Sequence, residues 1–285
     1  MSPLFDLSAT PDLDSPVLVL CFEGWIDAGY AAASALHTIK GKTELTTIAT
    51  FDTDALLDHR ARRPTMHLDD GVITQLSWPS IELQVAIDTE GHDTLFLVGA
   101  EPDHLWHAFS RAVVDLALEF GCRLVTSLGA YPAPAPHTRA TRIVPTAATP
   151  ELARQVGALP GSIEVPAGIS AAIERRCAEV GLPAVGLWAQ VPHYASAMPY
   201  PAAAAALIDS LHDVANLRFD TGDLLQESTH TRTRLDELVA DSPEHIDLVR
   251  QLEAQVDAYE AGSMTEVSGD ELAAEFERFL REQGS

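Results

Sequence analysis

The sequence predicts an α/β fold with a mixed, largely parallel sheet, followed by an all-helical C-terminal extension. Three observations predict it. Short apolar runs of strand length alternate with helical patterns in a βα rhythm. The run Pro16 to Phe22 (PVLVLCF) is apolar without interruption, as strands buried on both faces are. Residues 221–285 carry 16 acids and 5 bases and show no strand pattern. A chain of 285 residues is long enough for one large core and an appendage, so the expected division is a core over 1–220 and an acidic helical extension over 221–285.

Each element follows from local pattern. The run at 16–22 leads through a turn into an alanine-rich helical segment over 28–39. A strand at 45–51 precedes two alternating segments joined by Asp70-Gly71, a hairpin signal. These and the strand at 81–87 are short and alternating, the pattern of antiparallel pairing. The βα rhythm resumes with a strand at 94–99, a helix over 105–120 and a strand at 123–128. A helix over 169–180 and a strand at 184–191 follow. Over 202–217, Leu207, Ile208, Leu211, Val214 and Ala215 recur at helical spacing and close the core. In the extension, Ser242-Pro243-Glu244 reads as an N-cap, a first-turn proline and a favourable acid. Ile246, Val249, Leu252, Val256 and Tyr259 then form a narrow apolar stripe suited to docking on the core or on a partner. Ser268 with Glu271 forms a capping box before Leu272, Phe276, Phe279 and Leu280.

Composition excludes several functions. With 18 basic and 42 acidic residues, the surface field repels phosphate backbones and anionic lipid, so neither nucleic acid nor membrane is an expected partner. No apolar stretch approaches membrane-spanning length and the N-terminus carries acids where a secretory signal has bases, which points to the cytoplasm. Cys21, Cys122 and Cys177 are odd in number and suit buried thiols in a reducing compartment.

Four polar clusters each follow a predicted strand. The first holds Glu23, Gly24, Trp25, Asp27 and Gly29. The second holds Glu101, Asp103 and His104. The third is GAYPAPAPHTR with His137 and Arg139, and the fourth holds His193 and Tyr194. If the strands are parallel, these clusters share the sheet edge at which open α/β sheets bind ligands. Glu23, Gly24, Trp25, Asp27, Glu101, Asp103, His137, Arg139, His193 and Tyr194 are therefore the candidate pocket. Alternative structural roles exist for several: Asp27 as a helix cap beside a glycine turn, Arg139 as an anchor for its loop or a subunit contact, His193 as a satisfied strand-end residue. Tyr30-Ala31 stands where a phosphate loop needs Lys-Ser/Thr, and there is no GxGxxG, GxSxG or HExxH. Glu101, His104 and His107 share helical spacing but read as a helix-start carboxylate with surface histidines. No metal and no cofactor is implied, and no catalytic set is recognisable.

Together, LVLCFEGWIDAGYAA, LVGAEPDHLW, LGAYPAPAPHTR and LWAQVPHYASAMPYPAA resemble the actinobacterial branch of the proteasome assembly chaperone family, over roughly residues 16–215. The resemblance implies a three-layer α/β/α core similar to purine nucleoside phosphorylase. It also implies assembly into homo-oligomers, with a trimer expected, and an acidic tail that matches a helical extension of the actinobacterial members. Its eukaryotic members are non-enzymatic chaperones of proteasome α-subunits, so the resemblance implies a binding protein with proteasome subunits as partners. The competing expectation is an enzyme or small-ligand binder of phosphorylase- or hydrolase-like fold using the strand-end pocket.

Overall fold

The computed structural model describes residues 4–24, 26–158 and 161–262. The strands are β1 (Phe5–Leu7), β2 (Val17–Glu23), β3 (Thr46–Phe51), β4 (Thr65–Asp69), β5 (Val72–Ser77), β6 (Ile81–Ile87), β7 (Asp93–Ala100), β8 (Leu124–Ala133), β9 (Ile143–Ala147) and β10 (Ala184–Pro192). The helices are α1 (Ala31–Lys42), α2 (Thr53–Leu56), α3 (Trp106–Glu119), α4 (Pro150–Val156), α5 (Ile169–Val180), α6 (Pro201–Ala215), α7 (Leu224–Ala240) and α8 (Pro243–Glu260). Eight strands form one sheet in the order β1-β3-β6-β7-β2-β8-β10-β9, while β4 and β5 pair only with each other.

The sheet is mixed. Strand β2 pairs in parallel with β7 and with β8, whereas β1, β3, β6 and β7 pair antiparallel in succession. This matches the sequence, in which the continuous apolar run is the doubly flanked strand and the alternating ones are antiparallel. The helical extension is present as α7 and α8. Residues Ser268, Glu271, Leu272, Phe276, Phe279 and Leu280 lie outside the described residues.

The chain packs as two compact units. The first takes its described residues from 4–24, 43–127 and 167–186. Here Leu18, Leu20, Phe96, Leu97 and Phe109 are fully buried, and α3 packs against α5. Phe109 lies 4.9 Å from Phe51 and 6.0 Å from Phe22, ring centre to ring centre, at tilted and edge-on angles. Gly99 has φ +119°, and a Cβ there would overlap the carbonyl oxygen of Ser80. That close approach lets Ala100 N donate to the same Ser80 oxygen at 3.0 Å.

The second unit takes its described residues from 26–42, 128–166 and 187–262. Helix α1 packs against α6, α6 against α7, and α7 against α8. Five of the first six residues of α6 (PAAAAA) are alanines, which permits such close approach. Helix α8 starts at Pro243 after Ser242, as its sequence foretold. It buries Val249 and Leu252 and half-buries Ile246, Val256 and Tyr259. The described part of the extension is thus docked within this unit.

Some elements exceed their local signal. Strand β8 runs on to Ala133 through Pro132, because proline at a strand end forgoes a single ladder bond. Residues Ala28–Tyr30 form a 3-10 turn rather than the start of α1, since Gly29 and Tyr30 both have positive φ.

Inside the first unit, Ser127 Oγ on β8 donates to Glu174 Oε1 on α5 at 2.6 Å. Both residues are buried, and burial pushes the Glu174 carboxyl up from its ordinary 4.5 to about 7, against the opposing pull of the Ser127 hydroxyl. The folded state therefore keeps a proton that the unfolded chain loses, and stability falls as pH rises from about 4.5 to about 7. Glu174→Gln is expected to abolish this slope and to exceed the parent above pH 7 by up to about 3 kcal/mol. Paired urea melts between pH 5 and pH 8 read the difference.

Candidate functional site

In the second unit, the turn after β2 places Asp27 below the first turn of α1. Ala32 N donates to its Oδ1 at 2.8 Å and Ala33 N to its Oδ2 at 3.0 Å. Burial raises the carboxyl's pKa, and these amides oppose the rise. Gly29 has φ +65°, and a Cβ there would come within 2.7 Å of the Tyr200 Cβ. Its amide donates to Ser196 O and its carbonyl accepts from Tyr200 N. The glycine turn thus holds α1 to the start of α6.

The proline-rich loop after β8 delivers His137, Thr138, Arg139 and Arg142. The His137 side chain is almost wholly enclosed. Its amide donates to the Tyr194 hydroxyl at 2.9 Å, its Nδ1 lies 2.7 Å from that hydroxyl, and its Nε2 lies 3.1 Å from Asp236 Oδ1 on α7. One assignment satisfies every group: Tyr194 O–H donates to Nδ1, and Nε2–H donates to Asp236. Burial pushes the Tyr194 hydroxyl up to about 12, so it remains a donor at any working pH. The His193 ring packs edge-on against Tyr194 at 5.3 Å, and among the described residues its buried Nδ1 has no hydrogen-bond partner.

Arg139 forks onto α8. Its Nε donates to Asp257 Oδ1 at 2.7 Å and its Nη2 to Asp257 Oδ2 at 2.8 Å, while Nη1 donates to Glu253 Oε1 at 3.1 Å. The bidentate geometry is the one that a planar guanidinium favours. The Asp257 hydrogen bonds raise the guanidinium pKa further and lower that of the carboxyl. Thr138 Oγ1 donates to Glu253 at 2.5 Å. Arg142 Nη2 donates to the Tyr259 hydroxyl at 2.8 Å, with the guanidinium 4.3 Å from that ring's centre. The loop is a polar clasp for the extension.

Beside the clasp lies a cavity of about 500 Å³ with Ala202, Ala205 and Ala206 on one wall and Tyr200, Asp209 and Arg232 among its polar groups. His137, Arg139 and Thr141 also line it. Its size suits a small organic ligand.

In the first unit, Glu101 Oε1 accepts from Ile169 N at 2.7 Å and caps α5. Burial raises its pKa, with that amide acting in opposition. Glu101 N donates to Glu23 O, and the Glu23 side chain is exposed. Asp103 Oδ2 accepts from Asp58 N at 2.8 Å and Arg62 Nε at 3.3 Å. Burial works against the charge, but these donors hold its carboxyl below the usual range. A Cβ on Gly24 would meet the Arg62 guanidinium. Trp25 lies outside the described residues.

Sequence reasoning thus named Asp27, His137, Arg139, His193 and Tyr194 in one unit and Glu23, Gly24, Glu101 and Asp103 in the other. It missed Asp236, Glu253 and Asp257, although an acidic tail following two loop arginines was the available signal. It also missed Thr141, Tyr200 and Arg232, which carry no motif. Among the described residues, no three His, Cys, Asp or Glu side chains group to hold a metal, and no helix is long and apolar enough to cross a membrane.

A model of the PAC2 family matches residues 21–239. A Streptomyces avermitilis protein described as a PAC2 family protein is 35% identical, over 82% of this chain and 99% of its own, with a TM-score of 0.74. A Mycobacterium tuberculosis protein of unknown function is 33% identical over 100% of this chain and 98% of its own, at 0.84. A second Mycobacterium tuberculosis protein, described as a proteasome-assembly chaperone homologue, is 31% identical over 82% and 99%, at 0.75. None of the curated proteins matches the chain.

Replacing Arg139 removes the only side chain that binds both Glu253 and Asp257 among the described residues. Arg139→Ala is expected to raise amide exchange in α8 several-fold while leaving α5 unchanged. Added salt at 0.5 M should loosen α8 in the parent and have much less effect in the variant, because screening acts on the same ion pairs.

Proposed function

This chain belongs to the PAC2 family, and from that premise we propose that it is a non-enzymatic binding protein of the assembly-chaperone type. It acts in the cytoplasm, as a homo-oligomer of trimeric size, on proteasome subunits. The observation that carries the reading is the 31% identity, over 82% of this chain, to the Mycobacterium tuberculosis proteasome-assembly chaperone homologue. The use made of the strand-end polar residues supports it. Asp27 and Glu101 cap helices, and His137 and Arg139 hold the extension. Groups committed in this way serve a stable contact surface better than they serve proton transfer.

A second reading rests on the cavity beside the clasp. A small-ligand binder or an enzyme built there would draw on His137 and Arg139 and would use Arg232, Tyr200 and Thr141 to hold a ligand bearing a carboxylate or phosphate.

Mixing the purified chain with proteasome α- and β-subunits discriminates the two. The chaperone reading expects a complex with unassembled subunits on native gels and a changed rate of particle formation. No complex and an unchanged rate would sink it. A metabolite retained through purification and lost in Arg232→Ala, seen by native mass spectrometry, would put the second reading in its place.

A further inference from the structure

The cavity beside the clasp is walled by two helical stripes. Ala202, Ala205, Ala206 and Asp209 recur at helical spacing on α6, and Leu225, Ser228 and Arg232 do so on α7. Each stripe runs for about 10 Å along its helix. Tyr200 and Ala205 are buried, whereas Asp209 and Arg232 are exposed, so the two charges stand at the mouth.

The charged groups facing this space are unequally committed. His137 is held through both ring nitrogens by Tyr194 and Asp236, and Arg139 through all three guanidinium nitrogens by Glu253 and Asp257. The side chains of Asp209 and Arg232 make no ion pair or hydrogen bond with each other or with any other described residue. One uncommitted carboxylate on α6 and one uncommitted guanidinium on α7 thus face a common cavity. A simple anion there is attracted by Arg232 and repelled by Asp209, and a simple cation meets the reverse. A molecule carrying both charges satisfies both. Its body has to be apolar, because alanines form one wall and Leu225, 62% exposed, forms part of the other. At roughly 3.5 Å per residue, one or two amino-acid units with their termini match the length of the stripes.

We infer that this cavity binds a small zwitterion, an apolar amino acid or dipeptide, with its carboxylate on Arg232 and its ammonium on Asp209. Such a ligand completes an ion bridge between α6 and α7 that the side chains alone leave open, so its binding and the docking of α7 favour each other. The site presupposes the second reading above, in which the cavity holds a ligand, and makes the anion one half of a zwitterion.

Titration calorimetry on the full chain at constant ionic strength tests this with four probes: leucine, alanyl-leucine, 4-methylpentanoate, which is leucine without its ammonium, and 3-methylbutylamine, which lacks the carboxylate. Leucine or the dipeptide should bind about fivefold or more tighter than either half, the effect of one charge contact at an exposed mouth. Asp209→Asn should bring the zwitterion down to the affinity of 4-methylpentanoate, and Arg232→Gln to that of the amine. Saturation of the parent should slow amide exchange in α7 several-fold and leave α5 unchanged. If 4-methylpentanoate binds as tightly as the zwitterions, or if neither substitution weakens them, the zwitterion site is overturned while a carboxylate binder survives. Faster or unchanged exchange in α7 at saturation overturns the α6–α7 bridge. No binding by any of the four overturns both this site and the second reading.

Discussion

Strand β2 has parallel neighbours on both sides, and along Val17–Leu20 its backbone is paired with Thr94–Leu97 on one and Leu124–Ser127 on the other. Such a strand has no face for polar side chains and no edge for water. Its sequence is therefore apolar until the ladder ends. Chemistry begins at the last paired residue, Glu23, opposite Ala100, and the same holds after β7, where Glu101 N bonds back to Glu23 O. The sheet thus decides which residues are free to do anything else.

Those residues are largely carboxylates, and the fold uses them as anchors. Asp27, Asp52 and Glu101 each accept amide hydrogens at a helix start, where the backbone's orphan donors and the helix dipole favour negative charge. Asp236, Glu253 and Asp257 act on the partner side, from the extension toward the loop. A chain with a net charge of −24 would be expected to repel itself. Part of that burden is converted here into attachment.

How much of this was legible varies with range. Strand β6 and helix α5 were readable to the residue because turn signals bracket a clear period. The three-residue β1 and four-residue α2 have no room for a period, and β9 follows a proline-rich loop that masks it. Asp27 could be read as a cap because the signal is local, an acid just ahead of an alanine helix. The partners of Arg139 could not, because Asp257 lies 118 residues away and an ion pair leaves no mark in either neighbourhood. The partners of His137 were hidden for a related reason. The proline loop marks it as rigidly delivered, but its burial against Tyr194 and its contact with Asp236 come from tertiary packing.

The clasp has a competitive meaning as well. Because Glu253 and Asp257 are joined to Arg139 by their own chain, they compete for it at the effective concentration of a tether, which for short flexible links is in the millimolar range. A free acidic peptide at micromolar concentration would lose to them even with identical contacts. A newcomer that uses the same face of the guanidinium must therefore displace a contact that re-forms at that local concentration.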